Sequence, residues 1–244
     1  MIPRIFCILV VLSATTARAA PGLLVAVAAN FAPAMEEIGA RFTGETGIPV
    51  RTTVSSSGRL YAQIMNRAPF ALFFSADTRR PELLYQQGYC ERPRVYVRGR
   101  VVLWSRDRGL CDGTGDWRRL VTGSRDGIGI PNPELAPYGA SARQALVDAG
   151  LWQQVRDRLV FAANVGQSFQ YAAIGATGVS FVSGSLAATG SEGCFLPVPV
   201  AQPVAQSACV VRDSADRDAA RALLRYLRRN AATAILERYG YEFR

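Results

Sequence analysis

Short, continuous apolar runs alternate with amphipathic segments along the first part of this 244-residue chain. The run Leu23–Ala28 is apolar throughout. The segment after it repeats large apolar residues at spacings of three and four, which is the repeat of one helical face: Phe31, Met35, Ile38 and Phe42. Two more predicted strands, at residues 48–53 and 70–74, also precede helical patterns. This alternation predicts an α/β fold with mainly parallel sheets that are flanked by helices.

The same alternation restarts in the second half of the chain. Predicted strands and helices lie at residues 101–105, 127–130, 137–147, 159–162, 164–174, 178–182, 213–229 and 231–239. Because strand-to-helix turns occur in both halves, we expect two lobes that face each other across a ligand-binding cleft. The proline-bearing run at residues 194–203 leads back toward the first unit. We therefore assign residues 20–100 and 204–244 to lobe 1 and residues 101–203 to lobe 2.

Two polar segments, Ala29-Asn30-Phe31 and Ser55-Ser56-Ser57-Gly58, each stand between a predicted strand and a predicted helix. The first N–H groups of a helix have no intrahelical partner and carry a partial positive charge. Small donors such as Asn30 and Ser57 at two facing helix starts are therefore suited to bind an anion. Asn and Ser are also common N-cap residues, so either segment taken alone is explained more simply as helix capping.

The composition excludes most catalytic mechanisms. The chain has no histidine, and all 28 of its basic residues are arginine. Ser-His-Asp and Cys-His catalysis, most zinc enzymes, P-loop phosphate binding and Schiff-base chemistry each need an imidazole or an amine that this chain lacks. Carboxylate-only and thiolate chemistry remain. We therefore expect a binding protein that is not an enzyme and needs no cofactor.

Residues 1–19 have the pattern of a secretory signal peptide. A short basic start with Arg4 precedes an apolar stretch too short to span a bilayer, and Ala17-Arg18-Ala19 forms a small-x-small cleavage site. We expect an exported, periplasmic chain that begins at Ala20. Removing Arg4 and Arg18 lowers the formal charge from +9 to +7. The remaining arginines are interspersed with acidic residues, which indicates a solvated surface and no nucleic-acid partner.

Four cysteines remain after the signal peptide is removed: Cys90, Cys111, Cys194 and Cys209. An even number of cysteines in an exported chain predicts two disulfide bonds. Of the three connectivities, we favour Cys90–Cys111 and Cys194–Cys209, because each pair is close in sequence and brackets a strand-like run. Metal binding is the weaker alternative, since the chain has no Cys-x-x-Cys spacing and no histidine.

Six fragments in this order resemble the periplasmic molybdate-binding proteins of ABC importers, which have the type II periplasmic solute-binding fold. The resemblance spans nearly the whole mature chain. The fragments are Val25-Ala26-Val27-Ala28-Ala29-Asn30-Phe31, Ser55-Ser56-Ser57-Gly58 with Tyr61-Ala62-Gln63-Ile64, Ala68-Pro69 with Phe73-Phe74-Ser75-Ala76-Asp77, Asn132-Pro133 with Ala136-Pro137-Tyr138-Gly139, Asn164-Val165-Gly166-Gln167, and Tyr239-Gly240-Tyr241.

The resemblance implies capture of molybdate or tungstate, as an oxyanion held through its oxygens, for the membrane permease of an ABC importer. Members of this family hold the anion with neutral donors from these turns. The resemblance assigns backbone N–H donors to Ala29, Asn30, Ser57, Tyr138 and Val165, together with the Asn30 amide and the Ser57 hydroxyl. Such a protein is expected to act as a monomer.

One position departs from a branch of the family. Ser183 stands where that branch has a ligand tyrosine after a strand, so the resemblance does not carry this ligand contact over to Ser183. Ser56 and Ser183 are additional candidates.

Other functions stay open from the sequence. One alternative is a binding protein for sulfate, phosphate or a carboxylate. Another is an enzyme on the same two-lobed fold, for which Asp77 and Cys90 are the available acid and thiol. A third is a ligand sensor that docks to a membrane receptor.

Overall fold

The computed structural model describes residues 22–111, 115–190 and 192–243. The signal peptide and the start at Ala20 predicted above lie outside these ranges. The described strands are β1 (Leu23–Ala28), β2 (Val50–Ser55), β3 (Leu72–Ser75), β4 (Arg94–Gly99), β5 (Val101–Ser105), β6 (Ile128–Pro131), β7 (Leu159–Ala162), β8 (Val179–Ser183), β9 (Cys194–Pro197) and β10 (Val204–Val210). The described helices are α1 (Ala32–Thr46), α2 (Ser57–Met65), α3 (Arg79–Gln86), α4 (Trp117–Gly123), α5 (Pro137–Asp148), α6 (Trp152–Val155), α7 (Val165–Ala173), α8 (Gly184–Ala187), α9 (Arg217–Tyr226) and α10 (Asn230–Arg238).

Two five-stranded sheets of the same design define two lobes. The first has the order β2-β1-β3-β10-β4 and the second has the order β7-β6-β8-β5-β9. In each sheet, three neighbouring strands pair in parallel, and the two remaining strands join by antiparallel pairing. The expected mainly parallel sheets are therefore mixed. The antiparallel strands arise where the chain crosses between the lobes, after β4 and before β10.

Helices cover both faces of the first sheet. On one face, α1 packs with α9 and α10 around Phe31, Met35, Ile38 and Phe42, which are all buried as their spacing predicts. The other face packs against α2 and α3 through residues such as Leu60. Burial of a large apolar side chain contributes about 1.5–3 kcal/mol. These packed faces fix the ends of β1, β2 and β3, and hence the turns that follow them.

The two disulfide bonds do not have the predicted pairing. Cys90 bonds to Cys209 and Cys111 bonds to Cys194, with Cα–Cα distances of 5.8 and 6.1 Å. The two predicted pairs do not form, because each would join a cysteine of the first lobe to a cysteine of the second lobe. In the first lobe, Cys209 lies in β10 and Cys90 pairs with Val211 just after that strand. In the second sheet, Cys194 begins β9 opposite Ser105. Each lobe is therefore closed by its own disulfide.

No helix in the described ranges combines the length and apolar character that crossing a bilayer requires.

Candidate functional site

A small pocket lies between the lobes, at the carboxyl ends of the parallel strands of both sheets. Its cavity volume is about 10 Å³, far below the roughly 300–1,000 Å³ of pockets that hold drug-sized ligands. Its lining comes from both lobes: Ala28, Ala29, Asn30, Ser55, Ser56, Ser57, Ala76, Ala136, Pro137, Tyr138, Asn164 and Val165. None of these residues is charged at neutral pH, so the pocket suits a small ligand recognised without a counter-charge.

The first helix start in the pocket follows β1. Ala29–Phe31 form a 3-10 turn that leads into α1. The N–H groups of Ala29 and Asn30 come first in this turn, before any helical acceptor is available. Both residues are buried. The turn therefore places Ala29 and Asn30 in the lining of the pocket.

The second helix start, at α2, leaves one backbone donor at Ser57. The Ser56 hydroxyl caps the helix by accepting from the Arg59 N–H at 3.4 Å. The Gly58 N–H donates to the Leu135 carbonyl of the other lobe at 2.9 Å, and the Leu60 N–H makes the first helical bond to Ser56. The neighbouring donors are thus used, and the Ser57 N–H is the one that remains for a ligand.

The Ser57 side chain also lies at the pocket. Its hydroxyl oxygen accepts a hydrogen bond from the Ala76 N–H at 2.9 Å. A serine hydroxyl has one hydrogen to donate besides its acceptor lone pairs. The bond from Ala76 holds the oxygen in place and leaves this hydrogen for a ligand.

The other lobe supplies two more helix starts. Pro137 begins α5 without an N–H group, and the Gly139 N–H bonds to Ala136, so the Tyr138 N–H remains. At α7, the Asn164 side chain caps the helix by accepting from the Gln167 N–H at 3.0 Å. Because the cap binds the N–H of Gln167, it does not use the N–H of Val165, which begins α7 and lines the pocket. The five predicted residues Ala29, Asn30, Ser57, Tyr138 and Val165 therefore all line one pocket.

The Asn30 side chain is hydrogen-bonded within the protein. Its amide nitrogen donates to the Gln206 Oε1 at 2.8 Å and to the Tyr241 hydroxyl at 3.1 Å. Both amide hydrogens are therefore bound within the protein. The predicted contact between this amide and a ligand stays a prediction.

Gln206 is a buried residue of this site that the sequence reasoning missed. Besides Asn30, its Oε1 accepts from the Tyr96 hydroxyl at 3.2 Å, and its Nε2 donates to the Tyr138 hydroxyl of the other lobe at 3.0 Å. The register between β10 and β4 shifts at this point, because Gln206 pairs with Val97 and Ser207 pairs with Val95. Tyr96 is therefore the extra residue of a β-bulge in β4. The available signal was a glutamine within an otherwise apolar strand pattern.

Burial raises the pKa of three tyrosines around Gln206. The Tyr96, Tyr138 and Tyr241 hydroxyls have pKa values above the usual range, chiefly because burial disfavours the phenolate and also because the phenols lie close to one another. The three hydroxyls therefore stay protonated and act as neutral hydrogen-bonding groups throughout the physiological pH range.

The additional candidates Ser56 and Ser183 have hydroxyls that cap helices. Ser56 lines the pocket while it caps α2. The Ser183 hydroxyl accepts from the Leu186 N–H at 3.3 Å and bonds to the Ser185 hydroxyl at 2.9 Å. Within the described part of the chain, Ser183 is not part of the pocket lining.

The acid and the thiol considered for catalysis are both occupied. Asp77 forms an ion pair with Arg80, and its Oδ1 accepts from the Ser75 hydroxyl at 3.0 Å. Cys90 is buried in its disulfide. In the described ranges, no three His, Cys, Asp or Glu side chains come together in a way that could hold a metal ion.

Comparison with known proteins places this architecture in a family. The model of the bacterial extracellular solute-binding protein family matches residues 23–242. The chain is 36% identical over 226 residues to the molybdate-binding protein ModA of Azotobacter vinelandii, which covers 89% of this chain and 88% of that protein. It is 34% identical over 227 residues to ModA of Rhodobacter capsulatus. That match covers 91% of this chain and 89% of the relative.

A solved structure agrees with these relatives. The periplasmic molybdate-binding protein of Azotobacter vinelandii superposes with a TM-score of 0.84 at 33% identity, covering 91% of this chain and 99% of that chain. The names of these relatives describe binding proteins. This chain is therefore a ModA-like member of the bacterial extracellular solute-binding proteins.

Proposed function

We propose that this protein captures molybdate, or the closely similar tungstate, and delivers it to the membrane permease of an ABC importer. One observation supports this proposal most: four helix starts from two lobes meet at one small, uncharged pocket. The relatives named for molybdate binding support the choice of anion.

The proposed donors are neutral. Backbone N–H groups of Ala29, Asn30, Ser57, Tyr138 and Val165 would surround the oxyanion, and the Ser57 hydroxyl would add a further hydrogen bond. A fully deprotonated dianion has only acceptor oxygens, so a pocket of donors satisfies it completely. The partial positive charges of the helix starts favour the anion further.

The absence of a charged partner in the lining favours release as well as binding. When the lobes separate, an uncharged pocket leaves no buried counter-ion without its partner, which would be costly. A carrier that must transfer its ligand to a permease benefits from such a site.

Sulfate and phosphate are the main alternatives. Sulfate is smaller than molybdate, which would place the donors of a molybdate-sized cage too far from its oxygens. Protonated phosphate carries an O–H group that needs an acceptor, and the nearby carboxylate of Asp77 is held by Arg80. We therefore expect both ions to bind weakly.

We also infer a periplasmic monomer with no catalytic activity. The disulfide at Cys90 and the ion pair at Asp77 remove the thiol and the free acid that an enzyme on this fold would use. Two disulfides fit an oxidising compartment. Cleavage after Ala19 is checked by mass spectrometry of the exported protein.

Thermal unfolding in the presence of a panel of oxyanions tests this proposal. Saturation with a ligand that binds the folded state raises stability by several kcal/mol when the concentration exceeds Kd about a thousandfold. We expect molybdate and tungstate to raise Tm by several degrees, and sulfate and phosphate to raise it little. A larger shift with sulfate, phosphate or a carboxylate would contradict the proposal.

A further inference from the structure

Arg80 forms a contact between the lobes at the rim of the pocket. It lies in the first turn of α3 in the first lobe, and its Nη2 donates to the Glu134 carbonyl of the second lobe at 2.9 Å. Its guanidinium is also paired with Asp77. Arg80 lies beside the lining residues, because a Cβ built on Gly58 would stand 3.2 Å from its Nη2.

The pair with Asp77 differs from the other ion pairs of the described residues. The side chains of Arg80 and Asp77 are 17% and 19% exposed, whereas every other paired side chain is at least 31% exposed. Asp77 also accepts from the Arg80 N–H at 3.0 Å and from the Ser75 hydroxyl at 3.0 Å. The Asp77 carboxylate therefore orients the Arg80 guanidinium. The Nη1 group binds Asp77, and the Nη2 group remains to bind Glu134 across the cleft.

The contacted turn belongs to the binding site of the second lobe. Asn132 ties this turn together by accepting from the N–H groups of Glu134, Leu135 and Ala136 at 2.8–3.1 Å. The next residue, Pro137, begins α5, whose second residue is Tyr138. The Gly58 N–H binds the same turn at Leu135, 2.9 Å away. A bond to Glu134 thus holds the segment that leads to the Tyr138 donor.

We propose that Arg80 is a positioning residue that latches the two lobes closed around the bound anion without contacting it. This inference rests on the proposed anion-binding function of the pocket. The charge of Arg80 is balanced by Asp77, so its contribution comes from the directed bond to Glu134 and not from attraction of the anion. Breaking the latch frees the turn before α5 and lets the lobes separate sooner.

Stopped-flow binding of molybdate to two matched variants, Arg80→Met and Arg79→Met, tests the latch. Both substitutions remove one positive charge from the first turn of α3, but Arg79 is exposed and makes no such bridge in the described structure. Arg80→Met should raise Kd about tenfold through faster dissociation, as expected for loss of one charge-assisted bond. Arg79→Met should change either rate constant by less than about twofold.

Two further measurements separate the outcomes. Arg80→Lys keeps the charge but lacks the planar fork that holds two oxygens, so it should also dissociate faster while it keeps the fold. Small-angle scattering of the ligand-free proteins should give a larger radius of gyration for Arg80→Met than for Arg79→Met.

Three results would overturn the latch. The first is slower association in both Met variants that disappears at high salt, which would indicate long-range attraction. The second is wild-type rate constants in Arg80→Met. The third is equal radii of gyration for the two variants. Failure of the wild-type protein to bind molybdate would instead overturn the proposed function. The scattering comparison would still show whether Arg80 holds the lobes together.

Discussion

The Ala76 N–H donates a hydrogen bond to the Ser57 hydroxyl across 2.9 Å, so the turn after β3 fixes a side chain at the start of α2. This bond occupies a lone pair of the hydroxyl and leaves its hydrogen for the ligand. The pocket therefore combines a backbone donor and a side-chain donor at one residue. Its geometry depends on the packing of β1, β2 and β3 side by side.

Ser57→Ala should weaken molybdate binding without removing the backbone donors. The lost bond is charge-assisted, and one oxygen of a desolvated dianion is left short of a donor. We expect a cost of about 1.5–3 kcal/mol, or roughly 10- to 150-fold in Kd, measured by calorimetry.

Two neighbours serve as controls for Ser57→Ala. Ser56→Ala removes a hydroxyl that caps α2, so it should lower the free energy of unfolding by about 0.5–2 kcal/mol and change affinity less. Arg59→Ala removes an exposed charge and should change affinity little, in a manner that salt suppresses. Abolished binding in Arg59→Ala together with unchanged binding in Ser57→Ala would contradict the neutral-donor site.

Gly58→Ala should move stability and affinity in opposite directions. Alanine favours a helix over glycine by roughly 0.5–1 kcal/mol. However, a Cβ at residue 58 would stand 2.9 Å from the Leu135 carbonyl oxygen and 3.1 Å from its Cα in the other lobe. The ligand-free protein should therefore unfold at an equal or higher Tm, while Kd for molybdate rises about tenfold or more.

Gly44→Ala is the matched control for this substitution. Gly44 is an exposed residue of α1, and a Cβ there would meet no atom within 4 Å. It should gain helix stability and keep its affinity. Equal affinities of the Gly58→Ala and Gly44→Ala variants would show that close approach of the lobes at Leu135 is not needed for binding.

Much of the fold is readable from the sequence because local patterns determine it. The predicted bounds of β1, β5 and β7 are confirmed, and the apolar face of α1 is buried. Strands β4 and β10 were missed. Arg94–Gly99 contains two arginines on a sheet edge, and β10 carries Gln206 and Ser207, so neither has a continuous apolar pattern. Their places depend on pairing across long sequence separations.

The site was partly readable for the same reason. Helix starts after strands can be located from local patterns, which is how Asn30 and Ser57 were singled out. Ala29, Tyr138 and Val165 were named from the family resemblance, and all five residues line the pocket. The partners of the Asn30 amide could not be predicted, because Gln206 and Tyr241 are distant in sequence. The disulfide pairing was wrong for a related reason: closeness in sequence does not reveal a crossing between lobes.

Peptide mapping without reduction should find Cys90 joined to Cys209 and Cys111 joined to Cys194. The bonds close loops with sequence separations of 119 and 83 residues. Removing either pair by substitution with alanine should lower the free energy of unfolding by roughly 2–5 kcal/mol. Recovery of a Cys90–Cys111 or Cys194–Cys209 peptide would contradict the assigned pairing.

Molybdate affinity should be flat between about pH 6 and pH 9. The chain has no histidine or lysine, and burial raises the pKa of Tyr138, the titratable side chain of the pocket lining, above its usual range. Calorimetry at several pH values checks this. An affinity that changes tenfold within this range would point to a titrating group at the site.

Burial of the three tyrosines should make stability decline at more alkaline pH. Burial raises the folded-state pKa of Tyr96, Tyr138 and Tyr241. The unfolded chain loses these protons near pH 10, before the folded protein does. The contribution of these tyrosines to the free energy of unfolding should therefore be constant below about pH 10. It should fall as the pH rises above that value. Denaturant titrations at increasing pH measure the decline, and normal titration of all tyrosinate absorbance in the folded protein would contradict it.

Isothermal calorimetry of the wild-type protein with molybdate and sulfate at low and high salt tests the central claim most directly. A site built from neutral donors predicts binding of molybdate with sub-micromolar Kd, much weaker binding of sulfate, and only a small effect of salt on molybdate. The absence of heat with molybdate, together with a clear signal for sulfate, phosphate or an amino acid, would contradict it.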